Sequence, residues 1–104
     1  MGHFCDGRAS LVVGTHTHCP TADTRILPGG TGFQTDAGMC GDYDTVVGMD
    51  KEEPLRRFTT RMRGSRYAPG GGEGTMSGVL VELGANGLAT SIDPIRKGGV
   101  LDQT

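Results

Sequence analysis

His16 and His18 stand one residue apart in Gly14-Thr15-His16-Thr17-His18, directly after the apolar run Leu11-Val12-Val13. Neutral imidazoles are common ligands of divalent cations. In extended backbone, side chains two residues apart point the same way, about 6.5–7 Å apart along the chain. The spacing therefore predicts two rings on one side of a strand end, each able to serve one ion of a close metal pair. Such ions sit roughly 3.5–4 Å apart in dinuclear hydrolases. Read alone, a His-x-His pair is equally compatible with solvated rings making ordinary hydrogen bonds.

Other residue patterns exclude more than they suggest. Cys19 adjoins His18, but a nucleophile needs a base and an orienting group in space rather than in sequence, so Cys19 reads as structural. Neither Gly-x-Ser-x-Gly nor His-Glu-x-x-His occurs, which removes α/β-hydrolase and zincin chemistry. Asp36, Asp42, Asp44 and Asp50 do not fit the spacing of a calcium loop and read as turn residues and caps. Gly70-Gly71-Gly72-Glu73-Gly74 lacks the Gly-Lys-Ser/Thr of a phosphate loop and reads as a linker or surface loop. His3 reads as a surface or packing histidine.

With 104 residues the chain fits one domain, and a formal net charge of −2 gives no electrostatic case for nucleic acid or an anionic membrane. Hydrophobic residues are only 35%, Gly supplies 19 residues and Trp none. Such a chain cannot build a large core, and its stability must lean on a metal, a second chain or a further part of the same domain. Cys5, Cys19 and Cys40 are odd in number and lack Cys-x-x-Cys spacing, so neither a disulfide framework nor a zinc knuckle is expected. No apolar stretch suits a signal peptide or a membrane span. The expected setting is cytoplasmic.

The histidines must be positioned by short elements. Met1 to Gly7 predicts the tail of a helix stopped at Asp6-Gly7, and Ala9 to Val13 the strand that follows. Thr24–Leu27 and Gly32–Thr35 predict a hairpin around Pro28-Gly29-Gly30. Asp36 to Gly41 is irregular, with one short helical turn expected in Tyr43–Met49. The main helix is expected over Lys51–Met62, with Asp50 as N-cap, Glu53 three residues on and Pro54 in the first turn. Leu55, Phe58 and Met62 would form its buried face. Arg56, Arg57, Arg61 and Arg63 crowd its C-terminal end, where cations complement the helix dipole and face water. Asn86-Gly87 predicts a second hairpin, Ser77–Leu83 with Leu88–Ile95, placing Leu83 opposite Thr90 and Val81 opposite Ile92. A frayed tail is expected from Lys97 to Thr104.

Several short motifs in one order carry a resemblance. Asp6-Gly7-Arg8, Gly14-Thr15-His16-Thr17-His18, Pro20-Thr21-Ala22-Asp23, Arg25-Ile26-Leu27-Pro28-Gly29-Gly30-Thr31, Thr35-Asp36, Gly38-Met39 and Lys51-Glu52-Glu53-Pro54-Leu55-Arg56-Arg57-Phe58 together resemble the C-terminal part of a bacterial calcineurin-like metallophosphoesterase family. That family is related to the 2′,3′-cyclic-nucleotide 2′-phosphodiesterases. The resemblance is dense from Gly2 to Met62 and looser through the final hairpin.

The resemblance implies an α/β fold, the C-terminal part of a four-layer metallophosphoesterase sandwich with two hairpins and one main helix. Residues 1–104 would be the C-terminal portion of one such domain: 1–66 carrying the strand, histidine loop, hairpin and helix, 67–76 a Gly-rich loop and 77–96 the terminal hairpin. It further implies that His16 and His18 each serve one of two divalent ions, Mn or Fe foremost, with Mg or Zn as alternatives. A close cation pair polarises phosphoryl oxygens, makes hydroxide available near neutral pH and steadies the charge of in-line displacement. Both rings must be neutral to coordinate, so affinity falls with pH, and each second ring N–H needs an acceptor, with Asp23 and Asp36 as candidates. The family's remaining ligands lie upstream of the matching region, and two histidines cannot complete two ions of four- to six-fold coordination.

The chain thus reads as the back portion of a metal-dependent phosphoesterase acting on a phosphodiester or cyclic-nucleotide substrate. It supplies part of a dinuclear site, with no catalytic residue of its own beyond the two ligands, and is inactive alone. No membrane and no nucleic-acid duplex is expected as partner; a homo-oligomer is. The alternative is a non-enzymatic binding or oligomerisation module left from such an enzyme. A third reading, nucleic-acid binding through Arg56 to Arg66, requires salt-dependent affinity.

Overall fold

The computed structural model describes all residues, Met1 to Thr104. Its elements are α1 (Gly2–Cys5), β1 (Leu11–Val13), β2 (Arg25–Ile26), β3 (Gly32–Gln34), α2 (Glu52–Thr60), β4 (Met76–Leu83) and β5 (Ala89–Lys97), a mixed α/β composition. Two compact units result, Met1–Met39 with Ser77–Ile95, and Cys40–Met76 with Arg96–Thr104.

In the first unit a three-stranded sheet runs in the order β1-β3-β2. β1 pairs parallel with β3, Val12 beside Phe33, while β2 pairs antiparallel with β3, Ile26 beside Gly32. The hairpin expected around Pro28-Gly29-Gly30 is present, closed by Leu27 N–H to the Thr31 carbonyl at 2.8 Å. Gly30, at φ 102, supplies the positive φ. β1 is an edge strand, and an open cleft of about 310 Å³ beside it is lined by Met1, Gly2, Val12, Val13 and Phe33, among others.

Leu27 is the one buried hydrophobic side chain. The interior is polar instead: Thr31, Asp36 and Ser77 are buried and hydrogen-bonded, and the buried Gln34 donates through Nε2 to the Thr21 carbonyl at 3.1 Å while its Oε1 has no partner. The Thr31 hydroxyl donates to the Ala9 carbonyl at 2.7 Å and accepts the Gly7 N–H at 2.9 Å, while Asp6 accepts the Gly29 N–H at 2.7 Å. The long hairpin β4–β5 joins this unit through Ala89 N–H to the Gly30 carbonyl and Ser77 Oγ to the Ala37 carbonyl. Its closing pair is Gly84 with Leu88, around a three-residue turn with Gly87 at φ 80. The expected two-residue turn would close on Ala85 instead, so the closing pair differs by one residue. A left-handed glycine at the third turn position is the other common hairpin solution.

The second unit departs further from expectation. Val46 and Met49 exchange both main-chain hydrogen bonds at 2.9 Å around Val47 and Gly48, both at positive φ; this is a tight reverse turn where a helical turn was expected. α2 is shorter than expected, begins after Lys51 and ends at Arg61, whose φ of 58 closes it in the left-handed conformation. Asp50 accepts only the Glu52 N–H, at 3.4 Å. Glu53 does not reach back to the helix start: it is buried and accepts from Arg57 Nε at 2.9 Å and the Gly64 N–H at 2.7 Å. The expected buried face is exposed, Leu55 at 52%, Phe58 at 85% and Met62 at 64%. The ion pair of the buried Glu53 with the half-buried Arg57 fixes the opposite side inward, so helical periodicity marks the apolar stripe but not which stripe is covered.

The Gly-rich segment is a surface loop, as expected, anchored by the Gly72 N–H on Asp42 at 2.9 Å. The C-terminal residues are ordered rather than frayed. Gly98 N–H reaches Asp102 at 2.6 Å, Leu101 N–H reaches the buried Thr75 hydroxyl at 3.3 Å, and Gln103 N–H reaches the Arg96 carbonyl at 2.9 Å. No helix is long and apolar enough to cross a membrane.

Candidate functional site

The loop bearing His16 and His18 leaves the C-terminal end of β1. Gly14 makes this exit possible. Its N–H donates to the Gln34 carbonyl and its carbonyl accepts from Ala37, and a Cβ at this position would run into the Thr35 carbonyl oxygen. Beyond it the chain is bent rather than extended, and His18 has φ 66. The same-side geometry expected of a strand therefore does not apply to this pair. The bend has an identifiable cause, which is Asp36.

Asp36 is 2% exposed. Its Oδ2 accepts the main-chain N–H of His16 at 2.8 Å and of Thr17 at 2.6 Å, and the Thr17 hydroxyl at 2.9 Å. Its Oδ1 accepts the Gly38 N–H at 2.8 Å. Donors from Gly38, Thr17 and His16 stabilise the ionised form and hold this carboxyl well below the usual carboxylate range. Three N–H groups wrapped round one carboxylate curl the backbone, and a left-handed residue follows.

Asp23 braces the other side of the loop. It accepts the Thr21 hydroxyl at 2.6 Å, the Thr35 N–H at 3.1 Å and the Thr35 hydroxyl. The Thr21 and Thr35 hydroxyls lower its pKa to about 2. Thr21 in turn accepts the Asp36 N–H at 3.0 Å, and its own N–H meets the Asp36 carbonyl. Asp23 and Asp36 thus engage main chain and hydroxyls, not the imidazoles they were expected to orient. The missed role has a local signal: an Asp followed two residues later by Gly is a turn pattern in which the carboxylate takes the N–H of residue i+2.

His16 and His18 are both exposed. No cluster of three or more His, Cys, Asp and Glu side chains able to hold a metal ion occurs in the chain. Two imidazoles suit Fe or Zn in donor type, whereas Mn favours oxygen donors, and they fill only part of a coordination sphere. His3 lies exposed on α1, and Cys19 is an exposed thiol.

Solved structures place the fold in a class. The chain superimposes with a TM-score of 0.85 on a hypothetical protein from Thermus thermophilus, 37% identical, covering 95% of this chain and 38% of that one. It superimposes equally, at 0.85, on a novel phosphatase from Mycoplasma pneumoniae, 32% identical, covering 93% and 35%. The fold is thus a phosphatase-like α/β fold. The family model described as YmdB-like protein matches residues 1–95. The chain is also 51% identical, over 83 residues, to the 2′,3′-cyclic-nucleotide 2′-phosphodiesterase of Bacillus subtilis (strain 168). It belongs to the YmdB-like protein family. The match covers 80% of this chain and 31% of that enzyme, so the chain spans about a third of that relative's length.

Proposed function

We propose that this chain is the part of a metal-dependent phosphodiester hydrolase that supplies His16 and His18 to a dinuclear centre, within a four-layer α/β sandwich, and that it is inactive alone. The observation that carries the reading is the Asp36 clamp. A buried carboxylate fixes the main chain at His16 and Thr17 while both imidazoles stay exposed, which is how a rigid support presents ligands to something outside itself. The ions, Mn or Fe foremost, would supply charge stabilisation to phosphoryl transfer. This chain's own contribution is two neutral nitrogen donors on a loop of fixed shape. The edge position of β1 and its apolar cleft support the need for more polypeptide, because parallel strands are ordinarily covered. A cyclic-nucleotide-type substrate and a cytoplasmic setting complete the proposal.

Activity measurements with Mn²⁺ on a bis-aryl phosphate and on a 2′,3′-cyclic nucleotide test it. The 104-residue chain should show almost no turnover, whereas a polypeptide of the relatives' full length carrying the same loop should be active and lose activity on His16→Ala. Robust turnover by the short chain would overturn the reading.

A further inference from the structure

Helix α2 carries its polar side inward. Glu53 and Arg57 pair at 2.9 Å, Arg57 Nη2 donates to the Ser65 carbonyl at 2.9 Å, and the guanidinium lies 4.0 Å from the Tyr67 ring centroid. These contacts fix the helix against the return segment 61–68. Leu55 and Phe58 lie on the opposite side and Met62 just beyond the cap, all three exposed. Leu55 and Phe58, spaced i and i+3, give the helix an apolar side of the kind that docks on another surface.

Charge along the helix indicates which surface. Asp50 and Glu52 are exposed at the N-terminal end, and Arg61 and Arg63 at the C-terminal end, while Lys51 is engaged with Asp44 at 3.0 Å. From Pro54 to Pro69 there are five arginines and no acidic residue. An anionic membrane or a uniformly acidic partner would match the arginines but meet repulsion from Asp50 and Glu52. An identical helix laid antiparallel matches both ends at once: acid meets arginine twice, the helix dipoles oppose, and Leu55 and Phe58 meet in the middle.

We infer that α2 is a self-docking surface through which two copies of this chain pair antiparallel about a two-fold axis. A nine-residue helix is only about 13.5 Å long and buries less than the ~800 Å² per partner of a standard interface. Pairing is therefore reversible and concentration-dependent. It is independent of the metal-site proposal.

Sedimentation equilibrium of the full chain over a wide concentration range tests this. The average mass should rise from 10.9 kDa toward twice that value, and Phe58→Glu should weaken association by at least about tenfold. Two further variants test the charge pattern. Arg61→Glu with Arg63→Glu makes both ends acidic, and Asp50→Lys with Glu52→Lys makes both ends basic. Each should be monomeric alone, and their mixture should form a 1:1 dimer that salt weakens; unchanged circular dichroism shows that each is folded. A wild-type chain monomeric at every concentration overturns the inference, as do a Phe58→Glu variant that associates like wild type and a mixture no more associated than its components.

Discussion

Asp36 Oδ2 accepts the main-chain N–H of His16 at 2.8 Å although twenty positions separate the two residues. The shape of the histidine loop therefore follows from a buried acid on the segment after β3, not from the rings themselves. Removing the acid strands three main-chain donors, those of His16, Thr17 and Gly38, and an unpaired buried donor costs more than its hydrogen bond contributes. Asp36→Ala should lower the Tm by on the order of 10 °C in a domain this small and make the loop more susceptible to protease. Asp36→Asn, which keeps an acceptor but brings an NH₂ toward those donors, should fall between. Thermal melts of the three proteins check the order.

Acid should destabilise the protein through its clamped carboxylates. Asp36 lies below the usual range, held by Gly38 and Thr17, while Glu53, held by Arg57 and Gly64, titrates at about 2, as does Asp23, held by the Thr21 and Thr35 hydroxyls. All three are depressed in the folded state. Each contributes stability that is fully present above the unfolded carboxylate pKa of about 4 and is lost as pH falls toward the folded value. Urea midpoints should be flat from neutral pH down to about 5 and then fall steadily toward about 2. Asp36→Asn should flatten part of that fall, and an unchanged slope in this variant would contradict the clamp.

The elements legible in the sequence are those set by local chemistry. Pro28-Gly29-Gly30 fixes a turn wherever it stands, and Pro54 marks a first helical turn from its missing donor alone. The family was legible because the histidine motif and its flanking motifs occur together in one order. Features that depend on a partner in space are not legible in this way. Leu55, Phe58 and Met62 form an apolar stripe on any helix, but Gly64 and Arg57, by occupying Glu53, decide that the other side is buried. His18 could be extended in isolation and is bent because Asp36 gathers the N–H groups before it. The tail past Lys97 has no strong signal, and its order rests on contacts such as those of Leu101 with the buried Thr75 hydroxyl and of Gln103 with the Arg96 carbonyl.

The sparse core makes an unequal pair of truncations. Leu27 is 3% exposed and Phe58 is 85% exposed. Leu27→Ala should cost about 2–5 kcal/mol, the range for a buried leucine, and the polar hydrogen-bonded surroundings allow little collapse into the space. Phe58→Ala, despite removing a larger side chain, should change monomer stability by no more than about 0.5 kcal/mol. Urea denaturation at low protein concentration, where self-association does not contribute, separates the two.

Gly14 tests whether the loop needs its backbone path. Gly14→Ala introduces a Cβ against the Thr35 carbonyl oxygen, a main-chain atom held beside the Asp23 contacts to Thr35. The strand and loop must then part, so the variant should melt at least several degrees lower (roughly 4–8 °C per kcal/mol at this size). It should also show faster amide exchange at His16 and Thr17. Exchange unchanged at those two amides would mean that the loop path does not depend on the close approach at Gly14.

His18 separates backbone strain from ligand chemistry. Its φ of 66 is a conformation that costs an L-residue roughly 1–2 kcal/mol, and Met39 N–H donates to its carbonyl at 3.2 Å, which holds the residue there. Glycine adopts that φ without the Cβ penalty, although its freer unfolded chain offsets part of the gain. His18→Gly should therefore be more stable than His18→Ala by up to about 1 kcal/mol. If His18 serves a metal, both variants lose the same nitrogen donor, and in a polypeptide of the relatives' full length carrying this loop Mn²⁺ uptake should fall equally in the two, as read by elemental analysis after gel filtration. Equal stabilities would show that the left-handed conformation carries no cost here. Mn²⁺ uptake that survives in both would remove His18 from the ligand set while leaving its backbone role intact.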